Sequence, residues 1–166
     1  MAKDLKHFLN RLQKNYPDLL MKIKEEIHPG DFEITALLSL LERKGQEKMV
    51  LFEKTLSVDG SNALPLISNV FFSRGVIALA LDLAIEDCHM ELVEEFAKRE
   101  RVPGNLERVP ASEAPCKEVI WEGDSANLLK LPVPLHHEKD VGPYLTMTCI
   151  MKGQLSPGPI GTRTWR

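Results

Sequence analysis

The chain has 166 residues, 43% of them apolar and 27% charged, enough for one globular domain with a core and for the beginning of another. Its 21 basic residues face 24 acidic ones, a formal net charge of −3, and aromatic and basic residues do not interleave, which argues against nucleic acid as a partner. The N-terminal MAKDLKHFLNRLQKNY lacks an uninterrupted apolar run, and the longest apolar stretch, Val76 to Ile85, is broken by Asp82, so a cytoplasmic protein without a membrane span is expected.

In chain order, Leu5, Phe8, Leu9 and Leu12 recur at helical spacing behind Asp4, a suitable N-cap, and Pro17 ends that helix. Met21, Ile23 and Glu25 then alternate with Lys22, Lys24 and Glu26, a strand pattern that stops at the His28-Pro29-Gly30 turn. A second helix starts near Asp31, with Ile34, Leu37, Leu38 and Leu41 on one face and Gly45 as its stop. Two β-like runs, Met49 to Phe52 and Leu64 to Ile67, flank a polar turn at Asp59-Gly60. Ser73 caps a helix carrying Val76, Ile77, Leu79, Ala80 and Leu83, and a further helix is predicted from about Glu86 to Arg99. Residues 1–100 thus form a small α/β domain.

Pro103, Gly104, Pro110 and Pro115 fall in a stretch without apolar periodicity, so residues 101–115 read as a linker. Beyond it Cys116 to Trp121 reads as a strand, Asp124 to Asn127 as a turn, Leu128 to Leu135 as an extended proline-containing segment, and Tyr144 to Lys152 as another strand. Two or three strands cannot close a barrel, so residues 116–166 look like the opening of a second domain.

The stretch APCKEVIWEGDSANLLKLPVPLHHEKDVGPYLTM, residues 114–147, resembles the lead into the central domain of UbiD-type decarboxylases, where an APCQEV-like strand, a leucine–proline step and a D-x-G-x-Y turn follow in that order. Asp4 to Leu12, Glu33-Ile34-Thr35, Val50 to Glu53, Leu64 to Asn69 and Ser73-Arg74 through Leu81 are similar to that family's N-terminal domain in type and order. The resemblance implies an α/β N-terminal domain followed by the first strands of a split β-barrel of flavin-reductase type. It implies decarboxylation of aromatic or α,β-unsaturated acids with prenylated FMN, a divalent metal (Mn or Mg) and potassium, the modified flavin accepting charge that an sp² carbon cannot delocalise. It also implies a flavin prenyltransferase as cofactor source and a homo-oligomer when complete. By resemblance Met147 stands at a strand position near flavin and substrate.

The match departs at GPIGTRTWR. Counting from Tyr144 puts Gly161 at the family's metal-binding Asn and Arg166 at its acid–base Arg, whereas aligning the I-G-T step puts Pro159 at the Asn. Neither Gly161 nor Pro159 offers a side-chain ligand, and the family's His and acidic groups would follow residue 166. The expectation is an N-terminal portion, inactive alone, whose chemistry needs the rest of the enzyme or a complementary subunit. A non-catalytic docking subunit and a free-standing α/β binding module are the alternatives.

Other candidates have plainer readings. His136 and His137 are adjacent and lack a Cys or carboxylate at ligand spacing, which favours a loop role. Cys88-His89, as neighbouring helix positions, do not converge on a substrate. Cys88, Cys116 and Cys149 are scattered and odd in number, so free packing thiols are expected. Glu94-Glu95 and Lys98-Arg99 are spaced for ion pairs along a solvated helix; Arg163 and Arg166 have the chemistry to contact a phosphate or carboxylate, although basic residues at a chain end are more often simply solvated.

Overall fold

A computed structural model describes residues 4–102, 110–114 and 117–145. Helix α1 spans Leu5–Asn15, and Asp4 caps it by accepting from the His7 amide at 2.7 Å. A short 3₁₀ turn at Pro17–Leu19 delivers the chain into strand β1, Leu20–Ile27. Helix α2 covers Glu33–Arg43; Gly45, at φ +62°, closes it, with the amides of Gly45 and Gln46 bonding back to Glu42 and Leu41. Strands β2 (Met49–Leu56) and β3 (Ala63–Ser68), then helices α3 (Arg74–Ala80) and α4 (Met90–Glu100), complete the α-helices and strands among the described residues.

The sheet order is β1-β2-β3, with β1 parallel to β2 and β3 antiparallel to it. The parallel step requires a crossover, which α2 supplies, and the antiparallel step is made through residues 57–62. Alternation along β2 divides the core in two. Met49 packs with Leu12 of α1 and with Val76 and Leu79 of α3, whereas Val50 and Phe52 pack with Ile34 and Leu41 of α2. The sheet is therefore covered by helices on both faces. Its outer strands carry the polar alternation Lys22, Lys24 and Glu26 in β1 and Pro65 in β3, residues that discourage pairing with further chains.

Several expectations need correction. The last helix begins at Met90 rather than Glu86, because residues 84–87 form a turn closed by the Asp87 amide on the Ala84 carbonyl at 3.1 Å. Arg74 then holds the carbonyls of Cys88 and His89 at 2.7 and 3.3 Å. Leu83 lies past the end of α3, which stops at Ala80 before Asp82 takes φ +61°. In the second half, residues 117–121 are not a strand; Val119 is 72% and Ile120 64% exposed, and a β-like sequence without a pairing partner has nothing to stabilise a ladder. Of the segment expected to run extended, Leu128–Lys130 forms a 3₁₀ turn, and residues 132–135 lie in neither helix nor strand. Tyr144 and Leu145 are not in a strand either, and 146–152 lie outside the described residues.

Arg99 is more than a solvated charge. It pairs with Glu95 at 2.7 Å and donates to the Leu81 carbonyl at 2.6 Å, tying α4 to the segment after α3, while Lys98 meets Glu95 at 3.5 Å. The Arg99 hydrogen bond is the main reason that the Glu95 carboxyl titrates below its ordinary value.

Gly75 in α3 has no room for a side chain: a Cβ there would stand 2.8 Å from Cγ1 of Ile85 and 3.1 Å from its carbonyl oxygen. Gly75→Ala should therefore destabilise the chain by about 1–3 kcal/mol despite the better helix propensity of alanine. Urea unfolding of the two proteins measures this, and an unchanged midpoint would show that Ile85 moves aside freely.

Candidate functional site

Because β1 and β2 are parallel, their carboxyl ends lie on one rim of the sheet, the place where open α/β sheets commonly bind ligands. Here the chain itself crosses that rim. Just after β2, the amides of Val58 and Asp59 donate to the carbonyls of Leu131 and Leu129 at 3.1 and 3.0 Å. Just after β1, the Pro29 carbonyl accepts from the Leu135 amide at 2.9 Å. Pro132 and Pro134 lack amide hydrogens and favour this extended course, and Pro134 is buried. Residues 129–136 thus form a strap across both parallel strands.

Polar side chains lie at each end of the strap. Asp59 Oδ1 accepts from the Ser57 hydroxyl at 2.7 Å, the Ser61 hydroxyl at 2.6 Å and the Ser61 amide at 3.0 Å, which shapes the β2–β3 loop. These bonds, those of Ser61 first, hold its pKa at about 2, with the charge of Lys130 assisting. The Lys130 ammonium also lies 5.5 Å from the Trp121 ring centre. At the other end Thr35 Oγ1, in the first turn of α2, is 3.1 Å from His136 Nδ1. The His136 ring lies 5.3 Å from that of Tyr144 at 58°, and the Tyr144 amide donates to the Pro134 carbonyl at 3.2 Å.

Between strap and sheet lies a mainly apolar cleft of about 710 Å³. Leu66, Ile67 and Phe71 form one side and Pro134, His136 and Tyr144 the other. Asn69, also on its lining, adopts φ +57° and donates to the Lys48 carbonyl at 3.1 Å. A smaller cleft of about 200 Å³ lies between α1 and the end of α3, where Arg11 pairs with Asp82 at 2.6 Å and also bonds the Leu79 carbonyl.

Comparison with known proteins gives the affiliation. The family model of the 3-octaprenyl-4-hydroxybenzoate carboxy-lyase N-terminal domain matches residues 11–99, and that of the same enzyme's Rift-related domain matches residues 107–158. The chain belongs to the UbiD family. Among solved structures it is similar to vanillic acid decarboxylase of Sedimentibacter hydroxybenzoicus (ShVdcCD) in open form, with 29% identity and a TM-score of 0.72 over 86% of this chain and 30% of that one. The closed form of that enzyme gives 30% identity and a TM-score of 0.69 over 86% of this chain and 29% of that one. An evolved dimeric form of the UbiD-class enzyme HmfF from Pelotomaculum thermopropionicum, in complex with prFMN, gives 27% identity and 0.69 over 86% of this chain and 30% of that one. The chain therefore spans less than a third of the length of these relatives.

Of the residues singled out from sequence, Met147 and Arg166, with Pro159, Gly161, Arg163, Cys116 and Cys149, lie outside the described residues. His136 and His137 are not brought together. His136 turns to Thr35 and Tyr144, whereas the His137 ring accepts from the Lys139 amide at 3.1 Å and its own amide bonds Asp140 at 2.9 Å. Cys88 and His89 precede α4, and Arg74 engages their backbone carbonyls. Among the described residues, no three His, Cys, Asp or Glu side chains are placed to hold a metal. The larger cleft is lined by no Lys or Arg that could meet a flavin phosphate, so that cleft does not fit the prenylated flavin and its metals. No described helix is long and apolar enough to cross a membrane.

From sequence, Asp59 was visible only as a turn residue and Thr35 only within the family-like Glu33-Ile34-Thr35 run; the contact of Thr35, with a partner 101 positions away, was not.

The Asp59 carboxylate gives the rim a defined acid sensitivity. Its pKa is depressed in the folded chain, so the stability it contributes is complete above about pH 4 and is lost as pH falls through about 2. Carbon-detected NMR should show that carboxyl titrating near 2, and Asp59→Asn should remove this part of the acid dependence. An ordinary value near 3.8 would mean that the serine bonds are not kept in solution.

Proposed function

We propose that this chain is the N-terminal portion of a prenylated-FMN-dependent carboxy-lyase acting on aromatic or α,β-unsaturated acids. The α/β unit, residues 1–100, serves as the platform, residues 101–115 as the linker, and residues 116–166 as the start of the split-barrel domain. The observation that carries this reading is the collinear pair of family matches, 11–99 and 107–158, on one chain. The prFMN-bound HmfF relative supports the cofactor assignment, and the two decarboxylase forms support the reaction class.

On this reading Met147 lies near flavin and substrate, and Arg166 occupies the acid–base arginine position. Neither Gly161 nor Pro159, the two candidates for the family's metal-binding Asn, offers a side-chain ligand, so on this reading the cofactor site depends on polypeptide corresponding to the rest of the relatives. That polypeptide would be a continuation of the same chain or a complementary subunit, with a flavin prenyltransferase as cofactor source and a homo-oligomer as the finished assembly. The strap disfavours a free-standing ligand-binding module, because it occupies the rim that such a module would use.

The test begins with residues 1–166 expressed in a host that makes prenylated flavin, with manganese and potassium present. The purified chain should show no flavin absorbance and release no carbon dioxide from a panel of hydroxybenzoate- and cinnamate-type acids. The same residues joined to the following region of vanillic acid decarboxylase should bind flavin and decarboxylate at least one acid of the panel. Activity of the short chain would overturn the dependence on further polypeptide. A folded, flavin-loaded and inactive fusion would overturn the decarboxylase reading itself.

A further inference from the structure

The strap's two ends differ in what they fix. At Asp59 it is held by main-chain bonds to a loop, whereas at the other end a main-chain bond from Leu135 to Pro29 is joined by a side-chain contact between Thr35 of α2 and His136, whose ring meets at a tilt that of Tyr144, the first residue of the segment leading to Met147. Thr35 lies in the same rigid helix as Ile34, which is 2% exposed, so its hydroxyl has little freedom to follow a moving partner. Tyr144 is itself exposed and lies in no strand, and the contacts that orient it are the His136 ring and the Pro134 carbonyl.

From this geometry we infer that Thr35 and His136 form a positioning pair: Thr35 sets the ring of His136, His136 sets Tyr144, and Tyr144 sets the direction in which the chain leaves the α/β platform. This deepens the proposed function, on which its catalytic relevance rests, by giving the N-terminal unit a task in a reaction carried out elsewhere. The contact itself is a property of residues 1–166 and stands apart from that reading. The pair also builds one side of the larger cleft, since His136, Tyr144 and Pro134 all line it. Neither residue touches a reacting group, so both are positioning residues.

The chemistry separates this task from simple packing. Valine at position 35 keeps the shape of threonine and removes the hydroxyl, serine restores it, and phenylalanine at 136 keeps a ring against Tyr144 while losing Nδ1. The 166-residue chain is used throughout, with three readouts: the ¹⁵N shift of His136 Nδ1, the ring proton shifts of Tyr144, and amide exchange at Leu135 and Tyr144. Thr35→Val should move the Nδ1 and Tyr144 resonances and speed exchange at both amides about tenfold, the size expected for one lost hydrogen bond. Exchange at Val50 and Phe52 in the core should stay as in the parent chain, and Thr35→Ser should restore all three readouts. The Thr35→Val, His136→Phe double variant should behave like either single variant.

Unchanged Tyr144 resonances in Thr35→Val would overturn the inference, as would additive effects in the double variant. Core exchange that accelerates together with the strap, in Thr35→Ser as well as Thr35→Val, would overturn it too, by showing a general packing role. None of these outcomes depends on decarboxylase activity, so failure of the pair and failure of the proposed function are distinguishable.

Discussion

Burial of β2 on both faces is the constraint on which the rest of the fold depends. Met49, Val50, Phe52 and Thr55 are all almost fully inaccessible, although successive side chains point to opposite sides of the sheet. One helical layer could cover only half of them. The chain answers with α1 and α3 on the Met49 side and α2 on the Phe52 side, and the order β1-β2-β3 places this strand in the middle. Truncating a core aromatic such as Phe52 typically costs about 3–5 kcal/mol, a large part of a small domain's net stability. Among the described residues the buried Thr55 hydroxyl has no hydrogen-bond partner, a polar cost within a mainly apolar strand.

A parallel pair in the middle of such a sheet also creates a rim. With the carboxyl ends of β1 and β2 side by side, the loops after them present unpaired amides and carbonyls that a ligand, water or more chain must satisfy. In this protein the satisfying groups come from residues 129–135, more than 70 positions after β2, and the prolines there keep the segment extended. Occupying the rim with the chain's own backbone changes what the α/β unit can do. It holds the segment from residue 129 in place through main-chain hydrogen bonds.

What could be read from the sequence divides along the same line. Elements whose partners are close in sequence were legible: the alternation in β1, the face of α2, the caps at Asp4 and Ser73, and the stop at Gly45 each follow from local chemistry. The run after Cys116 was misread because β-propensity reports a side chain's fitness for a pleated, half-buried surface and says nothing of whether such a surface is present. The start of α4 was misplaced because Arg74 and Asp87 hold residues 84–89 in a different course, and no helical period reveals that. Of the candidate site, the turn at Asp59 was visible while its bonding to three serine groups was not, and the Thr35 contact joins positions too distant for any local signal.

The two halves of the described chain also differ in how apolar surface is used. Before residue 100 the large apolar side chains mostly enter the two core clusters, whereas Val119, Ile120, Trp121, Leu128, Leu129, Val141, Tyr144 and Leu145 are exposed. Scattered exposed side chains need no explanation, but this density within fewer than 30 residues is characteristic of a surface meant for cover. The strap makes such exposure tolerable by tying the segment to a stable platform through its backbone and leaving its apolar side chains free. A segment held in this way has less conformational entropy to lose on any later packing than a free one.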